Sequence, residues 1–220
     1  MGALLVVEGV DGAGKNTLTG GLVARWRAAG LEVATAAFPR YGDSVHADLG
    51  AEALRGGHGD LVDSVHAMAL LWALDRRAAA GRIAALLADH DLVLLDRYVA
   101  SNAAYGAARR GEQAPGEFTE WVHGLEFDRF SLPRPDRQLL LDVPVEVAAD
   151  RARRRAAADA ARTRDAYERD DGLQQAVAAR YRALAAAGWA GRWTVLTPDR
   201  VDSADALDQL AAELADTARR

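Results

Sequence analysis

The chain has 220 residues, half of them apolar and 27% charged, which is enough for one globular domain with a substantial core. Acidic groups outnumber basic ones by 32 to 27, and the net charge of −5 argues against bulk binding to nucleic acid or to an anionic membrane. Cysteine is absent, which excludes disulfides, a thiolate nucleophile and a thiolate metal site.

Five short apolar runs are expected as strands: Ala3–Val7, Glu32–Phe38, Asp91–Leu95, Arg137–Val143 and Arg192–Leu196. Helical patterns separate them, at Lys15–Ala29, Asp60–Ala88, Glu117–Phe130, Val145–Arg155 and Gln174–Ala187. Near-continuous apolarity in the strands predicts burial on both faces, hence a parallel sheet covered by helices. The alternation predicts a doubly wound α/β fold with right-handed crossovers, in a single domain over residues 1–220. The Ala- and Arg-rich stretch Arg151–Arg169 reads as an exposed flap. The segment Met1–Val7 lacks the features of a signal peptide, and no apolar run reaches the ~20 residues of a membrane span. A soluble, cytoplasmic protein is expected.

After the first strand comes Gly9-Val10-Asp11-Gly12-Ala13-Gly14-Lys15-Asn16-Thr17, a G-x-x-x-x-G-K loop between a strand and a helix start. Its glycines let backbone amides converge on an anion, and the helix N-terminus adds its dipole. Lys15 is the one lysine among 27 basic residues, the other 26 being arginine. A compact ammonium suits the β- and γ-phosphates of a nucleotide better than a broad guanidinium does. Asn16 stands where a metal-binding Ser or Thr is usual. Magnesium must therefore lean on other groups, with Asp11 the first candidate and Thr17 a weaker one, although Asp11 also reads as a turn cap.

Ligands of open α/β sheets bind beyond the carboxyl ends of the strands. Phe38-Pro39-Arg40-Tyr41 ends the second strand, an arginine between aromatics suited to a phosphate and a flat ring. On the long helix Trp72 and Arg76 lie one turn apart and together suit a planar base, though each alone reads as core or solvated charge. The third strand ends in Asp96-Arg97-Tyr98, a carboxylate for Mg²⁺ or its waters beside a guanidinium for a phosphoryl group. A structural Asp96–Arg97 ion pair is the alternative. Asn102 and Tyr105 share a face of a short helix, and the Asn amide, offering a donor and an acceptor, matches the alternating N3–H and carbonyl edge of a pyrimidine. In the flap, Arg155 is expected to serve phosphoryl transfer, with Arg162 second, and Glu168 to complete the metal site.

These motifs, GVDGAGKNT (Gly9–Thr17), AFPRYGDSV (Ala37–Val45), ALDR (Ala73–Arg76), DRYVASNAAY (Asp96–Tyr105) and RDAYERD (Arg164–Asp170), run in the order found in thymidylate kinases. The chain resembles that family, and in particular its actinobacterial members, from about Leu4 to Leu196. The resemblance implies a three-layer P-loop kinase fold with a five-stranded parallel sheet and a small arginine-rich lid at about 151–169. It also implies Mg²⁺- and ATP-dependent conversion of dTMP to dTDP in a homodimer. It places Gly9–Thr17 and Arg155 on ATP, thymine between Phe38 and Trp72, and Arg76 and Asn102 on the base edge. Tyr105 falls at the ribose 2′ position, Arg97 on the acceptor phosphate, and Asp11 near the 3′-hydroxyl and the metal. Tyr41, Asp165 and Tyr167 complete the nucleotide site, and Asp11, Asp96 and Glu168 the metal set. Trp72 departs from the phenylalanine common in relatives. A guanine-binding Asn-Lys-x-Asp element is impossible without a second lysine, so a GTPase switch is excluded. A kinase for another pyrimidine nucleotide or a nucleoside remains the alternative.

Overall fold

A computed structural model describes residues 2–158 and 166–216, and the side chains of 155–158 and 168 are not among those described. Five parallel strands, β1 (Ala3–Glu8), β2 (Val33–Ala37), β3 (Leu92–Asp96), β4 (Arg137–Leu141) and β5 (Trp193–Leu196), form one sheet. Their order is β2-β3-β1-β4-β5. All six residues of β1 are buried, and so are the apolar residues of β3 and β4. The two edge strands are only partly covered, which corrects the expectation of burial on both faces throughout. An edge strand has one hydrogen-bonded neighbour and less helix above and below it.

The helices are α1 (Lys15–Ala28), α2 (Val45–Leu54), α3 (Val65–Asp89), α4 (Val99–Arg109), α5 (Glu117–His123), α6 (Val145–Ala158), α7 (Ala166–Arg169), α8 (Asp171–Ala186) and α9 (Ala204–Ala215). Leu18, Leu22 and Trp26 bury one face of α1, and the Trp26 indole donates to Ala211 O at 2.9 Å, tying α9 to it. The expected helix at Asp60–Ala88 is divided. Gly59–Asp63 is a 3₁₀ turn, and α3 begins after Ser64, whose hydroxyl accepts from Ala67 N at 3.2 Å as an N-cap. The expected Glu117–Phe130 helix changes to π geometry over Gly124–Arg129, a register shift often found at functional sites.

Register brings the functional loops to one rim. Asp96 pairs with both Val7 and Ala37, so β1, β2 and β3 end level. The residues that follow, Glu8 to Lys15, Phe38 to Tyr41 and Arg97 to Tyr105, therefore share one end of the sheet. The first half of the expected flap is the end of α6, and Ala166–Arg169 is α7. Arg162, Arg164 and Asp165 lie outside the described residues.

Candidate active site

A cleft of about 820 Å³ opens at that rim, lined from Asp11 and Lys15 at one end to Trp72 and Arg76 at the other. The phosphate-binding loop forms its floor. Gly12 has φ +84° and Gly14 φ +106°, and a Cβ on Gly12 would stand 2.0 Å from Ala148 O. Both the backbone twist and the close approach of α6 thus demand glycine there. Buried Lys15 folds back on the loop, its Nζ donating to Gly9 O and Val10 O at 3.1 Å each. Burial, helped by the nearby Arg97 charge, lowers its pKa from the ordinary lysine value to about 8. Arg151 Nη1 donates to Ala13 O at 3.2 Å, so this flap arginine sits on the loop. The side chains of Arg155 and Glu168 are outside the description. Asn16 and Thr17 are exposed at the cleft mouth.

Arg97 stands at the centre with φ +65°, an uncommon conformation for a non-glycine residue and one that marks functional sites. Its Nη2 meets Asp11 Oδ1 at 2.5 Å, which replaces the alternative pairing with Asp96. Its Nη1 donates to Ser101 Oγ at 3.1 Å and to Tyr181 OH at 3.3 Å. Both hydroxyls donate to Glu8 Oε2, at 2.6 and 2.9 Å, and Tyr98 N donates to Glu8 Oε1. Glu8 is wholly buried and anchors this network from the end of β1. Tyr105 OH donates to Asp11 Oδ2 at 2.8 Å. Burial would raise the Asp11 pKa, but the charges of Arg97 and Lys15 and the Tyr105 hydrogen bond hold it well below the carboxylate range. Burial and the Asp11 charge push the Tyr105 phenol up, so it stays a neutral donor.

At the far end Arg76 is clamped by Glu126, Nε to Oε2 at 2.5 Å and Nη2 to Oε1 at 2.7 Å. Both residues are buried, and although burial opposes the guanidinium charge, Glu126 raises its pKa. The Asn102 amide nitrogen donates to Glu126 Oε1 at 2.9 Å and to Ala69 O at 3.0 Å. Both partners are acceptors only, which forces the orientation of the amide. Both residues line the cleft, with Nη1 of Arg76 left as a donor and Oδ1 of Asn102 left as an acceptor. This corrects the expectation that Asn102 offers both functions. Phe38 packs against Tyr98 at 5.9 Å, and the Tyr41 ring meets Trp72 edge-on at 6.5 Å. Tyr167 stacks on Tyr105 at 6.0 Å, and its hydroxyl is 2.5 Å from Arg109 Nη1.

Arg40, expected to suit a phosphate, is turned to α3. Its Nε and Nη2 are spent on Asp75 Oδ1 and Asp75 O at 2.8 and 2.9 Å, a tie that locks the β2 exit to α3. Magnesium fits the donor chemistry of the rim, with a changed emphasis. Asp11 has both oxygens engaged, whereas Asp96 Oδ1 is buried without a hydrogen-bond partner among the described residues. No group of three His, Cys, Asp or Glu residues suited to a metal occurs among the described residues, so a cation here would keep water or phosphate ligands.

Sequence reasoning passed over Glu8, Ser101, Tyr181, Glu126, Asp75 and Arg109, and chose Arg155 above Arg151. Glu8 carried a signal, a carboxylate closing an apolar strand immediately before the phosphate loop. Glu126 and Tyr181 carried none, because their partners lie 50 and 84 residues away.

A family model described as thymidylate kinase matches residues 7–199. The thymidylate kinase of Mycobacterium tuberculosis strain H37Rv is 57% identical over 196 residues, covering 89% of this chain and 92% of that protein. A probable thymidylate kinase of Thermococcus gammatolerans is 36% identical over 153 residues, 66% of this chain and 68% of that one. The thymidylate kinase of Xanthomonas oryzae pv. oryzae strain PXO99A is 33% identical over 166 residues, 70% of this chain and 62% of that one. With the phosphate loop, the Arg97 network and the base-edge groups assembled in one cleft, the chain belongs to the thymidylate kinase family.

Proposed function

We propose that this protein transfers the γ-phosphoryl group of ATP to the 5′-phosphate of dTMP, giving dTDP and ADP. The observation that carries the reading is the cleft itself, with an anion-binding loop and Lys15 at one end and a fixed donor–acceptor pair at the other. Thymine presents a carbonyl acceptor beside the N3–H donor, the complement of Arg76 Nη1 and Asn102 Oδ1. Cytosine at the same position would set its N3 lone pair against Asn102 Oδ1 and its amine against Arg76. The Trp72 and Phe38 rings supply the apolar walls, with Tyr41 at the outer edge. Tyr105, held on Asp11, fills the sugar side and disfavours a 2′-hydroxyl.

In the transfer, a dTMP phosphate oxygen attacks the γ-phosphorus in line as the bond to the β,γ-bridging oxygen breaks, and that oxygen leaves on ADP. The acceptor is already anionic near neutral pH, so no strong base is required. The chain's task is positioning and charge stabilisation. Lys15 and the loop amides hold the β- and γ-phosphates. Arg97, braced by Asp11, Ser101 and Tyr181, meets the acceptor phosphate and the charge developing between the two nucleotides. Asp96 and Asp11 would hold Mg²⁺, with Glu168 a further candidate. When bound, the ion supplies charge neutralisation on the donor phosphates. Arg151, seated on Ala13 O, faces the donor end. Arg155 is assigned to the transfer and Asp165 to the nucleotide on the sequence alone, and Tyr167 closing over the site would exclude water.

A homodimer is the assembly we expect from the resemblance, and sedimentation of the purified protein checks it. No helix among the described residues is long and apolar enough to cross a membrane. We expect the protein to act in the cytoplasm. ADP release measured against dTMP, dUMP, UMP, CMP and thymidine tests the reaction. Turnover highest on dTMP is expected, and a preference for thymidine would reassign the enzyme to the nucleoside kinases.

A further inference from the structure

Helix α2 carries Gly50 in its buried middle, among Ala47, Ala51 and Ala53. Glycine is a poor helix former, and a neighbouring alanine would serve the backbone better. The reason for the glycine is Trp72. A Cβ at position 50 would stand 2.3 Å from Trp72 Cη2 and 2.6 Å from Cζ3, well inside contact distance. The indole therefore lies back into the space that the missing Cβ leaves on α2. Its other surroundings are Tyr41, the small apolar cluster of Ala53, Leu54 and Met68, and the cleft. The clashing atoms are the far end of a side chain with two torsions, so a larger residue 50 would drive the ring toward the open side.

We propose that Gly50, which lines no part of the cleft, sets the depth of the base pocket through Trp72 and so acts as a specificity-determining, positioning residue. The pair works as a unit: tryptophan at 72 supplies a wide wall, and glycine at 50 lets that wall recede far enough for a substituted pyrimidine. The inference rests on the reading that Trp72 faces the base. It extends that reading to a residue in another helix whose role no motif contains.

Steady-state kinetics of the wild type, Gly50→Ala, Trp72→Phe and the double variant test it. In Gly50→Ala the KM for dTMP should rise about tenfold, the result of overpacking against the pocket wall. The KM for ATP and kcat should stay within about twofold to threefold, because the phosphate end is untouched. In the Trp72→Phe background, whose shorter ring does not reach α2, the same substitution should move the KM for dTMP by less than about twofold. An unchanged KM for dTMP in Gly50→Ala, or an equal rise in both backgrounds, overturns the proposal. So does a Gly50→Ala protein that melts below the assay temperature, since the clash would then have been absorbed by helix packing and not by the ring. The wild type separates the two claims. A wild type idle on dTMP rejects the proposed function, whereas an active wild type with an unmoved Gly50→Ala rejects only the role of Gly50.

Discussion

At the residue scale, the lone lysine and the tyrosine beside Asp11 make the sharpest expectations. Lys15→Met removes the ammonium while keeping an apolar stem, so turnover should fall by about 10²–10³ with the fold intact by circular dichroism. A pH profile tests the same residue without mutation. The Lys15 pKa is brought down to about 8, first by burial and then by the Arg97 charge. Below pH 8 the free enzyme carries the ammonium that grips phosphate. Above it the lysine is neutral, and ATP must bind with uptake of a proton. kcat/KM for ATP, which reports the free enzyme, should therefore fall toward about tenfold per pH unit above pH 8. A flat profile between pH 7 and 9.5 would show that Lys15 keeps its charge across that range and that burial does not lower its pKa. Tyr105→Phe deletes the hydroxyl that braces Asp11 at 2.8 Å, and competition between dTMP and its ribose counterpart should show a weakened preference for deoxyribose.

At the element scale, the π turn over Gly124–Arg129 carries Glu126 to Arg76 and Asn102. A buried guanidinium stripped of its partner costs about 3–5 kcal/mol, so Glu126→Ala should lower the melting temperature markedly. Glu126→Gln retains the shape but not the charge. It should spare more of the fold and chiefly raise the KM for dTMP, because Arg76 and Asn102 lose the anchor that turns their free atoms to the base. The Asn102 flip is legible only here: sequence shows an amide with a donor and an acceptor, and packing spends the donor. Helix α9 was likewise silent in the sequence. Its role rests on Trp26 reaching Ala211 O from α1, 185 residues away, and no local pattern announces that contact.

At the scale of the whole molecule, nucleotide binding links parts that are far apart in the chain, so ligand and stability should be coupled. A saturating ligand at 100 times its Kd adds about 2.7 kcal/mol to the folded state. For a chain of this length that amounts to a rise of about 5–11 °C in melting temperature, which dTMP should produce and CMP should not. The level ends of β1, β2 and β3 make such coupling physical, since phosphate loop, aromatic wall and Arg97 all spring from one sheet edge.

The sequence alone determined the strands, the phosphate loop and most of the predicted residues that line the cleft, because those features are local. An apolar strand, a glycine-rich loop and a lysine with no companion lie side by side in the chain, and their chemistry is readable before folding. Only the tertiary structure decided what orients them. Glu8 behind Arg97, Glu126 behind Arg76, Asp75 on Arg40, Arg151 on the loop and Gly50 behind Trp72 are pairings between separated segments. Such partners meet only when buried charges and rings must be satisfied in a packed interior, a requirement that distance along the chain does not encode.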